Sequence, residues 1–361
     1  MSGYAPVYYP GTAQPDTARE ITLGASEEQL GLDFQLQRVA LSRVAGQVMT
    51  PPGVTTSSVR LRLLSRGQVA PGVQTLSATA KRDGTFAFVA VPPGQYDLIA
   101  TASVARPRPQ LNVGMAPAEM ERAGPTKLWA TADVFVGGGF QPDLILTMQS
   151  GMTVSGSLAF AGAAALPSNL QRVRVTLGPY GKEMSAAGIG STNANADEDE
   201  RFTFQGIVPG RYRVRASGAS GWSLKTVMVE GQDVLDFWLE VKPGEDVSNA
   251  TVGFGDTVTD LKGTLQSQLG EPTADYTVII FPSDRKYWVP LARRMRSTRP
   301  STDGRFGFTG LPPGDYRLAT VTDVESGAWF DPALLEQLQA ASVAVRLIEG
   351  QPVVQDLRVN R

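Results

Sequence analysis

The 361-residue chain contains neither histidine nor cysteine, which removes most side chains that do chemistry in proteins. Histidine is the commonest general base near neutral pH and the commonest zinc ligand, while cysteine supplies nucleophiles, thiolate metal sites and disulfides. Serines remain, but no Ser-x-x-Lys pattern lies in a helical context that would activate a hydroxyl. We therefore expect a non-enzymatic protein that holds no catalytic residue, cofactor or metal.

Two charged clusters are the remaining candidates for ion or polymer binding. Residues 197–200, Asp-Glu-Asp-Glu, could bind calcium through oxygen ligands, but they lack calcium-loop spacing, so a solvated turn is expected. Residues 293–296, Arg-Arg-Met-Arg, and Arg299 could contact an anionic polymer. The formal net charge is only −2, so a solvated loop is expected here and nucleic acid is not an expected partner.

Three aromatic residues in loops could bind a sugar by stacking. They are Trp222 in a glycine- and serine-rich loop, Tyr180 in a Gly-Pro-Tyr-Gly turn, and Trp288 after an apolar strand. Aromatic faces offer sugars an apolar contact with polar edges, although such rings more often pack locally. They support an alternative function, a carbohydrate-binding array that contacts a glycan or surface polymer.

The charged and aromatic candidates lie on a framework that repeats. One motif occurs three times without a gap, at residues 83–98, 199–214 and 303–318. It reads Phe-x-Phe after an acidic turn, then a Pro-Gly turn and a tyrosine. Alternation with period two places both phenylalanines on one face of a strand. The tyrosine is expected to bury its ring and to bind nearby backbone through its hydroxyl, as at the corners of β-sandwiches.

The turns and strands around the motif allow further predictions. Asp-Gly precedes the first and third copies, whereas Asp199-Glu200 precedes the second, so its turn should differ. Short apolar strands should close at Gly46, Gly156 and Gly263. Glu-Gly-Gln predicts a hairpin after Val229 and again after Ile348, and a helix should begin at Pro332, capped by its preceding residue. The sequence therefore predicts strands throughout the chain, apart from that helix.

The repeat predicts an all-β fold of tandem Ig-like or prealbumin-like β-sandwiches in an elongated array. The motif tyrosines recur at a spacing that suits sandwiches of about 100 residues. The expected domains are a partial one at 1–36, formed by closing strands, followed by complete sandwiches at 37–149, 150–256 and 257–361. The joints between them are short, which favours a semi-rigid rod.

The first 36 residues look like the closing half of a sandwich, and an apolar hairpin alone would leave open edges. Three interpretations stay open. The sequence is a fragment of a longer array, the segment folds back onto the first sandwich, or it completes another copy or a neighbouring repeat by strand addition. For the last interpretation, the candidate assembly residues are Tyr8, Tyr9, Leu23 and Phe34.

The motif resembles the carboxypeptidase regulatory-like domain, which is close to transthyretin-like (prealbumin-like) and collagen-adhesin B-type sandwiches. The resemblance implies a stalk, spacer or adhesion segment of a large exported bacterial multi-repeat protein at the cell surface. Adhesin relatives can carry a lysine–asparagine cross-link, yet no spacing singles out Lys225, Lys242 or Lys262. The first residues do not resemble a signal peptide, and no apolar stretch is long enough to span a bilayer.

Overall fold

A computed structural model describes residues 2–4, 6–12, 17–23, 27–33, 35–52, 56–66, 75–104, 127–138, 141–322 and 324–359. The fold is all-β, as the sequence predicts, and these described residues include two short α-helices. Most strands belong to three sheet pairs that follow one another along the chain, and the two sheets of each pair share a buried apolar cluster.

The first sheet pair combines a three-stranded sheet with a five-stranded one. Its strands and the two that precede them are β1 (Ser2–Tyr4), β2 (Arg38–Ala40), β3 (Ser42–Met49), β4 (Thr56–Ser65), β5 (Leu76–Thr79), β6 (Thr85–Val91), β7 (Gly94–Val104), β8 (Lys127–Val136), β9 (Leu144–Thr147) and β10 (Gln149–Ser150). The sheet orders are β6-β3-β9 and β10-β8-β7-β4-β5, while β1 and β2 pair separately.

The second sheet pair combines the orders β14-β11-β19-β16-β17 and β13-β12-β15-β18. Its elements are β11 (Met152–Ala161), β12 (Arg174–Pro179), α1 (Lys182–Ala186), β13 (Thr192–Asn195), β14 (Arg201–Ile207), β15 (Gly210–Ser217), β16 (Ser223–Val229), β17 (Gln232–Asp233), β18 (Leu239–Val241) and β19 (Val247–Gly255).

The third sheet pair combines the orders β23-β20-β26 and β22-β21-β24-β25, with β27 continuing along β20. Its elements are β20 (Asp260–Gln266), β21 (Thr277–Pro282), β22 (Arg296–Thr298), β23 (Arg305–Thr309), β24 (Gly314–Val321), α2 (Pro332–Gln339), β25 (Val343–Leu347), β26 (Pro352–Val354) and β27 (Leu357–Arg358).

The predicted helix is confirmed as α2. The side chain of Asp331 accepts a hydrogen bond from the backbone N–H of Ala333 at 2.9 Å, and proline occupies the first turn, where its missing N–H costs nothing. Leu335 is fully buried in another apolar cluster of the third sheet pair, separate from the one between its two sheets, and this cluster also contains Phe281 and Trp288. The helix therefore covers the outer face of the sheet that contains β21.

The three sheet pairs share one connectivity. The first strand (β3, β11 or β20) pairs antiparallel with the phenylalanine strand (β6, β14 or β23) and parallel with the last strand (β9, β19 or β26). The tyrosine strand (β7, β15 or β24) lies in the other sheet. The Pro-Gly turn of the motif thus carries the chain from one sheet to the other, and its aromatic residues meet across the core.

The motif has the same geometry in all three copies. The two phenylalanine rings pack edge to face, with centroids 6.0, 5.9 and 6.3 Å apart. Each tyrosine hydroxyl donates to the carbonyl four residues earlier, at 2.9 Å for Tyr96, 2.6 Å for Tyr212 and 2.7 Å for Tyr316. Both predictions for the motif are confirmed. The tyrosine fixes the corner while the phenylalanines fill the core.

The first-strand glycines do not close their strands, and this prediction is wrong. Gly46, Gly156 and Gly263 lie inside β3, β11 and β20. A Cβ at these positions would lie 2.1, 1.9 and 1.9 Å from a carbonyl oxygen of the chain that runs parallel to the strand. The second and third would also press on the first phenylalanine ring of the motif. Glycine is required because backbone and ring both approach the first strand closely.

The acidic turn of the middle copy does not differ, contrary to the prediction. Glu200 has φ 62°, close to the 82° of Gly84 and the 76° of Gly304. The turn closes with the same backbone hydrogen bonds in all three copies. In the middle copy the side chain of Asp197 also accepts from the N–H of Arg201 at 2.8 Å. The turn is retained, and a side-chain-bearing residue adopts the left-handed conformation there.

The predicted hairpins have different outcomes. The first is confirmed at its turn, where Val229 pairs with Gln232, but the expected second strand at 236–239 is not its partner, since Leu239 pairs with β15 in the other sheet. The second is wrong, because β25 pairs with β24 in one sheet whereas β26 pairs with β20 in the other. The second Glu-Gly-Gln therefore crosses between sheets, as the link between β18 and β19 does in the second pair. The same tripeptide serves two different connections.

Candidate functional site

A buried carboxylate links the second and third sheet pairs. Asp236 lies between β17 and β18, and its side chain is 6% exposed. Its Oδ1 lies 2.6 Å from Nε of Arg293, and its Oδ2 lies 2.7 Å from Nε of Arg294. Both arginines belong to the segment between β21 and β22. One carboxylate thus joins two guanidinium groups that lie more than fifty positions further along the chain.

This geometry corrects the prediction of a solvated basic loop. The side chains of Arg293 and Arg294 are only 23% and 14% exposed, because they face Asp236 and not the solvent. Sequence reasoning missed the carboxylate itself. The available signal was its setting, Leu235-Asp236-Phe237, an acid flanked by apolar residues. A buried acid requires a partner, although the local sequence does not show which one.

Further contacts surround the ion pair. Nη1 of Arg294 donates to the hydroxyl of Tyr316 at 3.3 Å, which connects the cluster to the motif tyrosine of the third pair. The guanidinium of Arg294 lies 4.4 Å from the ring centroid of Tyr287, and this ring stacks on Phe237 at 5.7 Å. Nη2 of Arg293 donates to the carbonyl of Lys225 at 3.1 Å. Charge, aromatic stacking and backbone bonds therefore hold the same contact.

The electrostatics of the cluster favour its charged form. Burial alone would raise the pKa of Asp236, but hydrogen bonds and charge from Arg293 and Arg294 outweigh it and hold the pKa below its ordinary value. Burial raises the pKa of Tyr316 to about 12, so its hydroxyl stays a neutral donor. The cluster can bind and orient groups through fixed charges, and it is occupied by its own residues.

A second set of bonds joins the same two sheet pairs. Nζ of Lys225 lies 2.8 Å from a carboxylate oxygen of Glu349 and donates to the carbonyl of Thr257 at 2.6 Å. Nη2 of Arg213 donates to the carbonyl of Pro290 at 2.7 Å. We call this set, together with the contacts of Asp236, the second joint. Lys225, one of the lysines considered for a cross-link, forms an ion pair here.

The first and second sheet pairs also touch directly. Trp129, on β8 of the first pair, is 4% exposed and packs in the apolar cluster of the second pair. Its Nε1 donates to the carbonyl of Ser150 at 3.3 Å. Nη1 of Arg62 on β4 donates to the carbonyl of Ala186 at the end of α1, at 2.7 Å. These bonds form the first joint, which is mostly apolar where the second is mostly ionic.

The aromatic residues considered for sugar stacking are mostly buried. Trp222 is 9% exposed and donates to the carbonyl of Ala165, while Trp288 is 7% exposed and donates to the carbonyl of Pro282. Both indoles pack locally, which is the interpretation that the sequence favours, and a role for these residues in sugar stacking stays a prediction. Tyr180 is half-buried and stacks on another ring of the second pair. The structure does not bring the three residues together into one site.

The residues considered for assembly lie in the opening segment. Tyr8 closes a short turn, its N–H donating to Thr12 at 2.7 Å, and the carbonyl of Tyr9 accepts from Arg19 at 2.9 Å. Leu23 is 54% exposed, and Phe34 lies outside the described residues. Within 17–23, 27–33 and 35–37, no described residue belongs to a strand. The partial-domain interpretation of residues 1–36 stays a prediction.

The acidic residues 197–200 form the turn described above. In the described part of the chain, no group of three or more Asp or Glu residues is arranged to hold a metal ion. Within the same ranges, no helix has the length and apolarity needed to cross a membrane.

Comparisons with known proteins show distant structural similarity only. No family model and no curated protein matches the chain. The Bacillus anthracis TIE protein is 12% identical, with a TM-score of 0.21, over 90% of this chain and 54% of its own, so the chain spans about half its length. A Streptococcal ancillary pilin (10%, TM-score 0.25) and BcpA, the major pilin subunit of Bacillus cereus (11%, 0.22), are each similar over 88% of this chain and 99% of their own. TM-scores this low carry no argument about function.

Proposed function

We propose that the chain is a non-enzymatic structural segment of a cell-surface protein, a stalk of tandem β-sandwiches at 37–149, 150–256 and 257–361. The observation that carries the proposal is the second joint, in which buried Asp236 pairs with Arg293 and Arg294. A chain of independent modules needs no buried charge between neighbours, since domains joined by linkers move freely by default. A fixed joint suits a spacer that must hold its length. The extracellular location rests on the resemblance of the motif.

The ion pairs of the second joint should contribute more to stability than exposed ion pairs do. Removing one partner of a buried ion pair typically costs about 3–5 kcal/mol, because the remaining charges lose their compensation. The arginines here keep some solvent contact, so the lower end of that range applies. Exposed ion pairs such as Arg285 with Glu336, whose side chains are 62% and 52% exposed, contribute about 0–1 kcal/mol.

Small-angle X-ray scattering of the full chain tests the proposal. A compact globule of this length would have a radius of gyration of about 21 Å, and a semi-rigid rod should exceed that value clearly. Asp236→Ala should broaden the distribution of interatomic distances by loosening the second joint. Glu336→Ala, which breaks an exposed pair away from the joint, is the matched control and should leave scattering unchanged. A compact wild type, or equal profiles for wild type and Asp236→Ala, would refute the stalk.

A further inference from the structure

The outer face of the β13-β12-β15-β18 sheet carries a row of arginines. On β12 and β15 the buried residues alternate with outward ones, so Arg174 and the three arginines of β15 share one face. We call this set the arginine face; its members are Arg174, Arg211, Arg213 and Arg215. Along β15 its charges repeat at every second residue, about 7 Å apart.

The arginine face lacks the carboxylates that neutralise other basic residues in this chain. Across the described residues, no carboxylate oxygen lies within ion-pair distance of any of its four guanidinium groups, whereas Arg66, Arg293 and Arg294 all have one. Glu240, opposite Arg211 in the strand register, is the acid on this face. Four arginines against one carboxylate leave a net charge of +3 on a protein whose total is −2.

Aromatic rings hold two of these arginines in place. Tyr180 and Trp238 stack at 5.3 Å with an interplanar angle of 14°. The guanidinium of Arg211 lies 4.9 Å from the Trp238 centroid, and that of Arg213 lies 4.9 Å from the Tyr180 centroid. Stacking occupies the ring faces and orients the guanidinium planes, which suits the exposed arginines of the face to carboxylates and not to sugar rings. Arg213 is the most enclosed of the four, since its Nη2 also donates to the carbonyl of Pro290 in the second joint. Nε of Arg213 is buried without a partner.

The opening segment has the complementary charge. Residues 17–33 contain Arg19 and four acids, which leaves −3. All four acids, Glu20, Glu27, Glu28 and Asp33, are described and exposed. The neighbouring Ile21 and Leu30 are exposed too, at 38% and 88%. The acids of this segment lie at irregular intervals, so its match to the arginine face is one of net charge and not of regular spacing.

We propose that residues 17–33 of one copy dock on the arginine face of a second copy. The inference rests on the proposed surface stalk and names its partner, another copy of the same chain. The two surfaces differ, so the contact is heterologous and leaves one segment and one face open at the ends. Copies therefore join head to tail, and association weakens with salt, since exposed charges are screened within about 10 Å at 0.1 M ionic strength.

Sedimentation velocity of the full chain at low and high salt tests this docking. The wild type should associate at low salt and dissociate at high salt. Arg174→Glu with Arg215→Glu changes two exposed arginines and should weaken association at least about tenfold, a difference of about 1.4 kcal/mol. The matched control is Arg60→Glu with Arg82→Glu, two exposed arginines of the first sheet pair that give the same change in net charge. The control should associate like the wild type.

Charge exchange makes the test specific. Glu20→Lys with Glu28→Lys should abolish association as the face variant does, and a chain carrying all four changes should regain it. The docking is overturned if the wild type stays monomeric at low salt, if the control loses association equally, or if the fourfold variant does not recover. It is also overturned if the monomeric wild type instead binds polygalacturonate through the arginine face. A rod-like monomer in scattering would then uphold the stalk and reject only the docking.

Discussion

The middle copy of the motif turn contains a strained residue whose replacement should stabilise the protein. Glu200 has φ 62°, where the other copies have glycine at 82° and 76°. The left-handed conformation costs a side-chain-bearing residue about 1–2 kcal/mol, whereas glycine adopts it freely. Glycine also loses about 0.5–1 kcal/mol more backbone entropy on folding. Glu200→Gly should therefore stabilise the second sheet pair by about 0.5–1 kcal/mol.

Hydrogen exchange measured by mass spectrometry can read this change locally, which matters because three sheet pairs need not unfold in one step. Peptides covering β14 should exchange about two- to fivefold more slowly in Glu200→Gly if they exchange by opening of the second pair. Asp199→Gly is the matched control, because it removes the same charge from the same turn where φ is not positive. It should speed exchange. Unchanged exchange in Glu200→Gly, or equal slowing in the control, would refute the argument from strain.

Three further predictions concern the core, the motif corner and the second joint. Gly156→Ala places a Cβ 1.9 Å from a backbone oxygen and should cost about 3 kcal/mol in urea unfolding, whereas Gly178→Ala, with its nearest neighbour at 3.7 Å, should be nearly neutral. Tyr316→Phe should cost about 1 kcal/mol at pH 7. Because the folded pKa is raised to about 12, the tyrosine's contribution is complete below pH 10 and is lost as pH rises toward 12, a loss that the phenylalanine variant should not show. Asp236 has a lowered pKa, so its contribution is complete above its ordinary pKa near 4 and is lost as pH falls through the folded value; Asp236→Asn should flatten that acid loss. Each pH prediction would be contradicted if stability fell more steeply with pH in the variant, Tyr316→Phe in base or Asp236→Asn in acid, than in the wild type.

Features that depend on neighbouring residues could be predicted from the sequence. The alternating phenylalanines, the tyrosine corner and the cap of α2 each involve partners within a few positions, and all three are confirmed. Local reasoning failed where a distant strand decides the outcome. Gly156 looks like a strand end, yet a parallel strand about ninety positions later approaches it and requires glycine inside the strand.

The candidate site was the least predictable part. Arg293 and Arg294 look like a solvated cluster because their carboxylate lies more than fifty positions earlier and across a joint. Likewise the two Glu-Gly-Gln segments read alike, although one turns back within its sheet and the other crosses to the opposite sheet. A local sequence pattern indicates which residues of a segment must be buried or paired. Which distant residues become their partners depends on the order of the strands in the sheets.

Trp129 has a consequence for how the chain unfolds. It belongs by sequence to the first sheet pair but packs in the apolar cluster of the second. Unfolding of either the first or the second sheet pair would expose this indole to solvent. The unfolding equilibria of the two sheet pairs are therefore thermodynamically coupled. The third pair is held by the buried ion pairs of Asp236, which salt screens little but acid weakens by protonating the carboxylate. In acid the third pair should therefore separate from the other two first, and a protease should release it before it cuts between β8 and β11.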